Sequence, residues 1–260
     1  MSFIVNMARV ISLVNQKGGV GKTTTALNLA AYLAEEGKYV LVVDMDPQGN
    51  ATSGIGIMHD QVNCSVYDVF TKGVSIKDVI LPTKIANFSV VPSNFSLAAA
   101  SVELVNVENR EMLLRNTLLD IRNNYDYILI DCPPSLGILT VNALVASDEV
   151  LIPVQSEYYA LEGLGQLIST IQRVQKNLNR DLRILGAVVT MHDKRTKLSL
   201  QVLKEMTRHF PNRVFESVIP RNVKLSEAPS HGLTVKQYEP WSKGARAYKR
   251  LAGEILKQER

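Results

Sequence analysis

Cysteine is scarce in this 260-residue sequence, which contains only Cys64 and Cys132. Two isolated thiols supply neither a disulfide framework nor the paired spacing that zinc and iron–sulfur sites need. We therefore expect a protein of a reducing compartment, the cytoplasm. A buried position as a small apolar side chain is the simplest expectation for Cys132.

Long hydrophobic runs are also missing, since none approaches the ~18–20 residues of a membrane-spanning helix. The opening residues, MSFIVNMARV, lack the basic segment followed by a long apolar one that marks a secretory signal, so we expect no signal peptide. Linkers rich in proline, glycine or serine and internal repeats are absent as well. We expect one domain over residues 8–260, preceded by an N-terminal extension at residues 1–7.

The net charge of +4 conceals an uneven distribution of charge along the chain. Residues 171–260 contain 19 Lys and Arg against 8 Asp and Glu, whereas residues 1–170 contain 10 basic and 17 acidic groups. A basic C-terminal part favours a polyanionic partner, because long-range fields depend on where the charges lie. Composition alone leaves open the alternative that these charges only solvate helix faces.

Apolar, β-branched segments alternate along the chain with longer segments of helical periodicity. Several predicted strands are continuously hydrophobic, which is typical of strands buried on both faces of a parallel sheet. The predicted strands cover residues 8–14, 39–46, 88–93, 125–134, 149–155, 183–190 and 214–220. The predicted helices cover residues 22–37, 161–179, 197–210 and 245–258. This alternation predicts an α/β fold, a doubly wound, mostly parallel sheet flanked by helices.

The segment NQKGGVGKTTT lies between a predicted strand and a predicted helix, the context of a phosphate-binding loop. Its glycines allow backbone N–H groups to point at phosphate oxygens, and the following helix adds its positive N-terminal end. Lys22 is expected to neutralise phosphate charge, and Thr23 to bind Mg²⁺ through its hydroxyl. The loop therefore predicts a nucleotide site.

This loop departs from the ordinary pattern G-x-x-x-x-G-K-[ST] at its start. Gln16 stands where the first glycine belongs, and it is followed by an additional lysine, Lys17, that the loop chemistry does not need. A dinucleotide-binding fingerprint fits less well, because Thr24 occupies its third glycine position and Lys22 would have no purpose. The extra lysine is the unusual feature of the sequence.

Three acids follow predicted strands and are candidates for a magnesium site. Asp131 ends YILID, and Asp44 and Asp46 lie in VLVVDMD, two residues apart and so on the same face of a strand. A buried carboxylate without a cation is costly, so we expect Asp131 to hold Mg²⁺ directly or through water. Turn formation or helix capping is the alternative role for each acid.

Five motifs in this sequence together resemble the ParA/Soj chromosome- and plasmid-partitioning ATPases, which belong to the deviant Walker A group of phosphate-loop ATPases. The resemblance runs from about Ala8 to Lys257, and the motifs occur in the family's order. They are KGGVGKTTT, DMDPQGN, DCPPSLG, PVQSEYYALEGLGQL and PRNVKLSEAPSHG.

The resemblance implies a homodimer that sandwiches ATP and Mg²⁺, with Lys17 reaching across to the phosphates bound by the other subunit. It implies that Asp46 supports the attacking water and that Asp131 is the Walker B acid. Lys17, Lys22 and Asp46 are thus the implied catalytic residues. The implied nucleotide-binding residues are Lys17, Gly18, Gly19, Val20, Gly21, Lys22, Thr23 and Thr24, with Pro220, Arg221 and Asn222 against the adenine.

The resemblance also implies non-specific binding of double-stranded DNA by the ATP-bound dimer. Arg195 and Lys224 correspond to the family's basic positions, with Lys224 standing where relatives can carry arginine. Contacts to phosphate need only cations, so binding should be salt-sensitive. A ParB/Spo0J-type protein is the implied partner that stimulates hydrolysis and releases the DNA. The implied role is segregation of a chromosome or plasmid on the nucleoid.

Two other classes share the glycine-rich loop. A MinD-like division regulator ends in a helix that inserts into lipid, but the tail ARAYKRLAGEILKQER lacks the bulky apolar face this needs. We expect its Tyr248, Leu251 and Ile255 to pack on the domain, and we expect no stable membrane association. Iron–sulfur carriers need cysteine pairs that are missing here, and a small-molecule ligase needs a substrate pocket that the sequence does not identify.

The extra lysine gives the first testable prediction. Lys17→Ala should leave ATP binding to the monomer largely intact while abolishing ATP-dependent dimerisation and hydrolysis, because Lys17 is expected to act on the other subunit. Nucleotide titration and light scattering measure the two effects separately. Loss of ATP binding by the monomer would contradict a role in trans.

Overall fold

The computed structural model describes residues 7–157, 162–210 and 214–258. Within them a seven-stranded sheet runs through the centre of the protein. Its strands β1–β7 are Arg9–Leu13, Val40–Asp44, Leu81–Pro82, Phe88–Val91, Tyr127–Asp131, Glu149–Gln155 and Arg183–Thr190. Their order in the sheet is β3-β4-β2-β5-β1-β6-β7. Every neighbouring pair is parallel except β3 with β4, which confirms the predicted doubly wound, mostly parallel sheet.

Helices lie on both faces of this sheet. In chain order, the described helices α1–α12 are Lys22–Glu35, Asn50–Gly54, Val66–Lys72, Ile76–Val79, Leu97–Glu103, Leu113–Leu119, Ile138–Ala146, Glu162–Asn177, Lys197–His209, Val223–Glu227, Val235–Tyr238 and Lys243–Lys257. The four predicted helices correspond to α1, α8, α9 and α12, and Leu161 of the second prediction lies outside the described residues. Helix α1 ends as predicted near Gly37, whose φ of 82° suits glycine.

The sheet separates two hydrophobic cores because its central strands are apolar on both faces. Along β1, Val10 packs in one core, whereas Ile11 and Leu13 pack in the other. Strand β2 shows the same division, with Val43 in the first core and Val42 in the second. The continuously hydrophobic strand sequences follow from this burial on both sides.

The C-terminal helix α12 packs against α1 in the second core. Tyr248, Leu251 and Ile255 are at most 1% exposed, and the Tyr248 hydroxyl hydrogen-bonds the Thr25 hydroxyl at 3.1 Å. This confirms the expectation that these apolar side chains pack on the domain. None of the described helices is long and apolar enough to cross a membrane. Cys132 is also buried, at 1% exposure, as expected.

The predicted strand at residues 214–220 is wrong. Only isolated bridges join this segment to the region of β7, through the N–H groups of Phe215 and Ile219. The intervening N–H groups of Glu216 and Ser217 donate instead to the Glu254 carboxylate, at 3.0 and 2.8 Å. A side chain from α12 thus takes the hydrogen bonds that a continuous ladder would use.

Candidate nucleotide-binding site

The glycine-rich loop joins β1 to α1 at the carboxyl edge of the sheet. Gly19 and Gly21 have φ values of 74° and 91°, in the left-handed region that side chains with a Cβ disfavour. A Cβ placed on Gly18 or Gly19 would meet no protein atom within 4 Å. Packing within the protein therefore does not require these two glycines to be small, whereas close approach of a phosphate to the backbone does.

Lys22 is buried at the base of this loop, at 6% exposure. Its Nζ donates to the carbonyl oxygens of Asn15, at 3.1 Å, and Lys17, at 3.4 Å. Burial lowers the pKa of Lys22, while the charge of the nearby Asp131 acts in the opposite direction. The ammonium group is thus fixed inside the curve of the loop, where phosphate oxygens would meet it.

Asp131 is fully buried beside the loop, and neither carboxylate oxygen has a hydrogen-bond partner. The sheet register pairs this residue with Leu13 on one side and Asp44 on the other. Burial raises the pKa of Asp131 well above its ordinary value, and the Asp44 carboxylate adds to the rise. A buried acid with two unused oxygens suits a cation, and Mg²⁺ prefers such oxygen ligands together with phosphates and water.

Asp44, by contrast, already has its partners. Its Oδ2 accepts from the N–H and the hydroxyl of Thr52 at 2.8 and 2.7 Å, and its Oδ1 accepts from the Asp46 N–H at 3.1 Å. Burial raises the pKa of Asp44 to about 6, although the Thr52 hydrogen bonds act against the rise. Asp44 therefore connects the end of β2 to α2 through hydrogen bonds. These contacts correspond to the structural role, turn formation, that was the alternative to magnesium binding.

Asp46 follows β2 and is 8% exposed. Its Oδ1 accepts from the Gln48 N–H at 3.0 Å, which fixes the turn after β2. The residue lines the same cavity as Lys22 and Thr23. An acid held by the backbone in the lining of this cavity is placed to hydrogen-bond a molecule inside it.

The cavity has a volume of about 450 Å³, within the range of small-molecule sites. The glycine-rich loop and the start of α1 contribute Gly18, Gly19, Gly21, Lys22, Thr23 and Thr24 to its lining, whereas Lys17 and Val20 of the predicted nucleotide-binding set are not among the described lining residues. Other lining residues had not been assigned to the site from the sequence. They include Leu27, Asn28, Met191, Pro229, Leu233 and Thr234. Of these, Pro229 belongs to the PRNVKLSEAPSHG motif.

The three residues predicted to contact adenine, Pro220, Arg221 and Asn222, lie beside the segment that contains Met191. The Arg221 N–H donates to the His192 carbonyl at 3.0 Å, and Pro220 bridges to the same residue. Asn222 caps α10 through a hydrogen bond from the Lys224 N–H at 2.9 Å. These three residues are thus close to Met191, but they are not among the described residues that line the cavity.

Lys17 is not among the described residues that line the cavity. Its Nζ donates to the Glu157 carboxylate at 2.6 Å, and the two side chains are 42% and 44% exposed. Lys17 is therefore paired within the chain, whereas Lys22 lines the cavity.

The two predicted DNA contacts also form ion pairs within the chain. Arg195 makes two hydrogen bonds to the Asp193 carboxylate, at 2.7 and 2.9 Å, and Lys224 contacts Glu227 at 2.8 Å. Helix α12 carries further exposed cations that have no ion-pair partner in the described part of the chain: Lys243, Arg246 and Arg250. These three belong to the basic half of the chain, but no sequence motif singles them out.

The fold and the site define a phosphate-loop nucleotide-binding protein of the α/β class. A family model described as an AAA domain matches residues 8–184. The sporulation initiation inhibitor protein Soj of Bacillus subtilis is 54% identical over 249 residues, with 96% of this chain and 98% of the relative covered. The chromosome-partitioning ATPase Soj of Treponema pallidum is 51% identical over 250 residues, with 96% and 98% covered.

Solved structures agree on the fold. Cobyrinic acid a,c-diamide synthase from Mycobacterium smegmatis, with bound ADP and magnesium, has a TM-score of 0.86 and 37% identity, with 97% of this chain and 95% of the synthase covered. With full-length relatives at about half identity, the chain belongs to the ParA/Soj family of partitioning ATPases.

The unpartnered Asp131 gives a prediction for stability. Because its pKa is raised in the folded state, ionisation of Asp131 lowers the free energy of unfolding at neutral pH. This effect disappears as the pH falls below the ordinary carboxyl pKa of about 4. Asp131→Asn should therefore stabilise the nucleotide-free protein by about 1 kcal/mol or more at pH 7.5 and much less near pH 4.5. Urea unfolding measures this, and an equal gain at both pH values would contradict the explanation.

Proposed function

We propose that this protein is an ATPase that moves DNA by switching between an ATP-bound dimer and a monomer. The observation that carries the proposal is the pair of buried charges beside a glycine-rich loop. Lys22 lines the cavity, and the nearby Asp131 carboxylate, which acts on the pKa of Lys22, has no hydrogen-bond partner. The phosphates of a nucleotide need a cation such as Lys22, and the Mg²⁺ bound to them needs a carboxylate such as Asp131. The names of the relatives at about half identity support the same activity and its use in chromosome partitioning.

In this proposal the loop residues 17–24 hold the phosphates of ATP. Thr23 and Asp131 hold Mg²⁺, Asp131 directly or through water, and the metal balances phosphate charge. Lys22 neutralises charge on the β- and γ-phosphates from within the loop. Pro220, Arg221 and Asn222 lie against the adenine, which would place the base at the end of the cavity near Met191.

Hydrolysis in this proposal depends on Asp46 and on a second subunit. Asp46 orients the attacking water from the edge of the cavity, and Lys17 contributes its charge to the site of the other subunit. For this, the ion pair between Lys17 and Glu157 must first break. A pair this exposed is worth only about 0–1 kcal/mol, so exchange of Glu157 for phosphate oxygens is energetically accessible. Dimerisation and ATP binding are thereby linked.

The DNA surface in this proposal lies on the basic C-terminal half. Arg195 and Lys224 exchange their carboxylate partners for DNA phosphates, and the unpaired cations of α12, Arg246 and Arg250 among them, can bind phosphates without such an exchange. A ParB/Spo0J-type protein stimulates hydrolysis on the DNA, which returns the protein to a monomer and releases it from the nucleoid.

The DNA-binding part is tested by measuring DNA retention with ATP, ADP and no nucleotide across a salt series. We expect DNA retention only with ATP, without sequence preference, and weakening steeply with salt.

Arg195→Ala combined with Lys224→Ala should lower the affinity for DNA and reduce the salt slope by about 2, roughly one for each lost phosphate contact. ATP-dependent dimerisation should be unchanged. Lys77→Ala with Lys84→Ala, exposed lysines outside the basic half, is the matched control. Unaltered DNA binding in the first variant would remove these residues from the surface.

The hydrolytic part is tested at Asp46. Asp46→Ala should retain ATP binding and the dimer but lower phosphate release by about 100-fold or more, because the acid is proposed to act only on the attacking water. Phosphate release and light scattering provide the two readouts. Asp120→Ala, which removes an exposed acid that does not line the cavity, is the control. Unchanged turnover in Asp46→Ala would eliminate this role.

A further inference from the structure

The segment of residues 223–238, which contains α10 and α11, contributes both to the nucleotide cavity and to the proposed DNA surface. Pro229, Leu233 and Thr234 line the cavity. Lys224, a proposed DNA contact, belongs to the same segment, and its side chain is partly exposed. The segment therefore connects the lining of the cavity with a cation on the outside of the protein.

Helix α11 is a single helical turn between these two places. Its N-cap residue Thr234 is buried, and the Thr234 carbonyl accepts from the Tyr238 N–H at 3.0 Å. At the other end of the turn, the Lys224 Nζ lies 5.5 Å from the centroid of the Tyr238 ring. One turn of helix thus separates a residue of the cavity lining from the residue that packs against Lys224.

The side chain of Asn28 joins this turn to the phosphate-binding loop. Asn28 lies in α1, is buried and lines the cavity. Its Nδ2 donates to the Thr24 carbonyl at 2.7 Å, and its Oδ1 accepts from the Val235 N–H at 2.8 Å. The first N–H groups of a helix have no partner within it, so the Asn28 amide supplies the acceptor that Val235 needs. These two hydrogen bonds fix α11 relative to the residues that are expected to hold phosphate.

A close backbone contact joins the same segment to α2. Gly232 and Gly56 have φ values of 63° and 86°, and a Cβ on Gly232 would lie 2.5 Å from the Gly56 Cα. Helix α2 contributes Asn50 and Ser53 to the cavity lining. The segment is therefore held against two elements, α1 and α2, that both line the cavity, and a nucleotide in contact with them acts on one packed unit.

Glu227 holds Lys224 at the outer end of this unit. The Lys224 Nζ and the Tyr238 hydroxyl both donate to the Glu227 Oε2, at 2.8 and 3.1 Å. The hydrogen bonds from Lys224 and Tyr238 keep the pKa of Glu227 below its ordinary value, so this carboxylate is charged at neutral pH. Exposed ion pairs are weak, and a small displacement of Tyr238 is therefore enough to change how firmly Glu227 holds Lys224.

We propose that Asn28 and Tyr238 are positioning residues that make the DNA contact of Lys224 depend on the nucleotide. Without nucleotide, Glu227 holds Lys224. A nucleotide that binds more tightly to a shifted position of α11 favours that position through Asn28 and Thr234. The Tyr238 hydroxyl then moves Glu227 away from Lys224, which becomes available to a DNA phosphate. This inference rests on the proposed function, because it assigns residues to the nucleotide dependence of DNA binding.

The role of Asn28 is tested by measuring the DNA affinity of the full-length protein at saturating ATP, with ATP affinity and the dimer checked separately. Asn28→Ala should lower the DNA affinity about threefold or more and reduce the salt slope by about 1, as Lys224→Ala should. Asn28→Ala combined with Lys224→Ala should bind DNA no more weakly than Lys224→Ala alone, because both changes remove the same phosphate contact. Asn28→Ala combined with Arg195→Ala is the matched control, and its losses should add.

The role of Tyr238 is tested with Tyr238→Phe, which keeps the ring and removes the hydroxyl. Glu227 then stays with Lys224, so the DNA affinity of the ATP-bound dimer should fall about twofold or more. Adding Glu227→Gln removes the competing charge and should restore the affinity. Glu239→Gln, which neutralises a second acid that acts on Lys224 by charge alone, is the matched control and should restore much less.

The outcomes separate this inference from the proposed function. Additive losses in Asn28→Ala with Lys224→Ala would show that Asn28 does not act through Lys224 and would overturn the inference. If Asn28→Ala forms no dimer, the Tyr238 series decides. An unchanged DNA affinity in Tyr238→Phe, or equal recovery with Glu239→Gln, would then overturn it. A wild-type protein without ATP-dependent dimerisation and DNA retention would instead refute the proposed function itself.

Discussion

The arrangement of the site depends on the buried carboxylate of Asp131 and the buried ammonium of Lys22 at one edge of a parallel sheet. Parallel pairing brings the carboxyl ends of β1, β2 and β5 to this edge, so the glycine-rich loop and the acids meet without any long connection. Neither charge is fully compensated, because both Asp131 oxygens lack a hydrogen-bond partner. In the proposed function, a phosphate chain and its metal would supply the missing partners and so offset the energetic cost of these charges.

Three exposed cations of the proposed switch differ from the buried lysine in how their charge is compensated. Lys17, Arg195 and Lys224 each form an ion pair with a nearby carboxylate of the same chain. Exposed pairs contribute little to stability, so phosphates of ATP or DNA can replace these carboxylates at small cost. The proposed switch therefore requires exchange of ion partners and no rearrangement of the core.

Asp44 ends β2 and Asp46 follows it, so both acids lie at the carboxyl edge of the sheet, but they make different contacts. The Asp44 carboxylate accepts hydrogen bonds from Thr52 and from the Asp46 N–H, and these bonds hold Asp46 in a defined turn at the cavity. Thr52 also accepts from Ser93, so the turn is connected to the segment that leads into α5.

The amino-acid sequence by itself determined the parallel sheet, the phosphate-binding loop and the position of Asp131. These features have local causes: strand burial on both faces requires continuous apolar runs, and a phosphate cradle requires glycines with a lysine at fixed spacing. Tertiary structure decided what depends on distant groups. Glu254 accepts from the Ser217 N–H that a strand at residues 214–220 would direct at β7, Thr52 makes Asp44 a structural acid, and Met191 lines the same cavity as Leu233. Such hydrogen bonds and contacts join residues far apart in the chain, and no local pattern encodes which of them will meet.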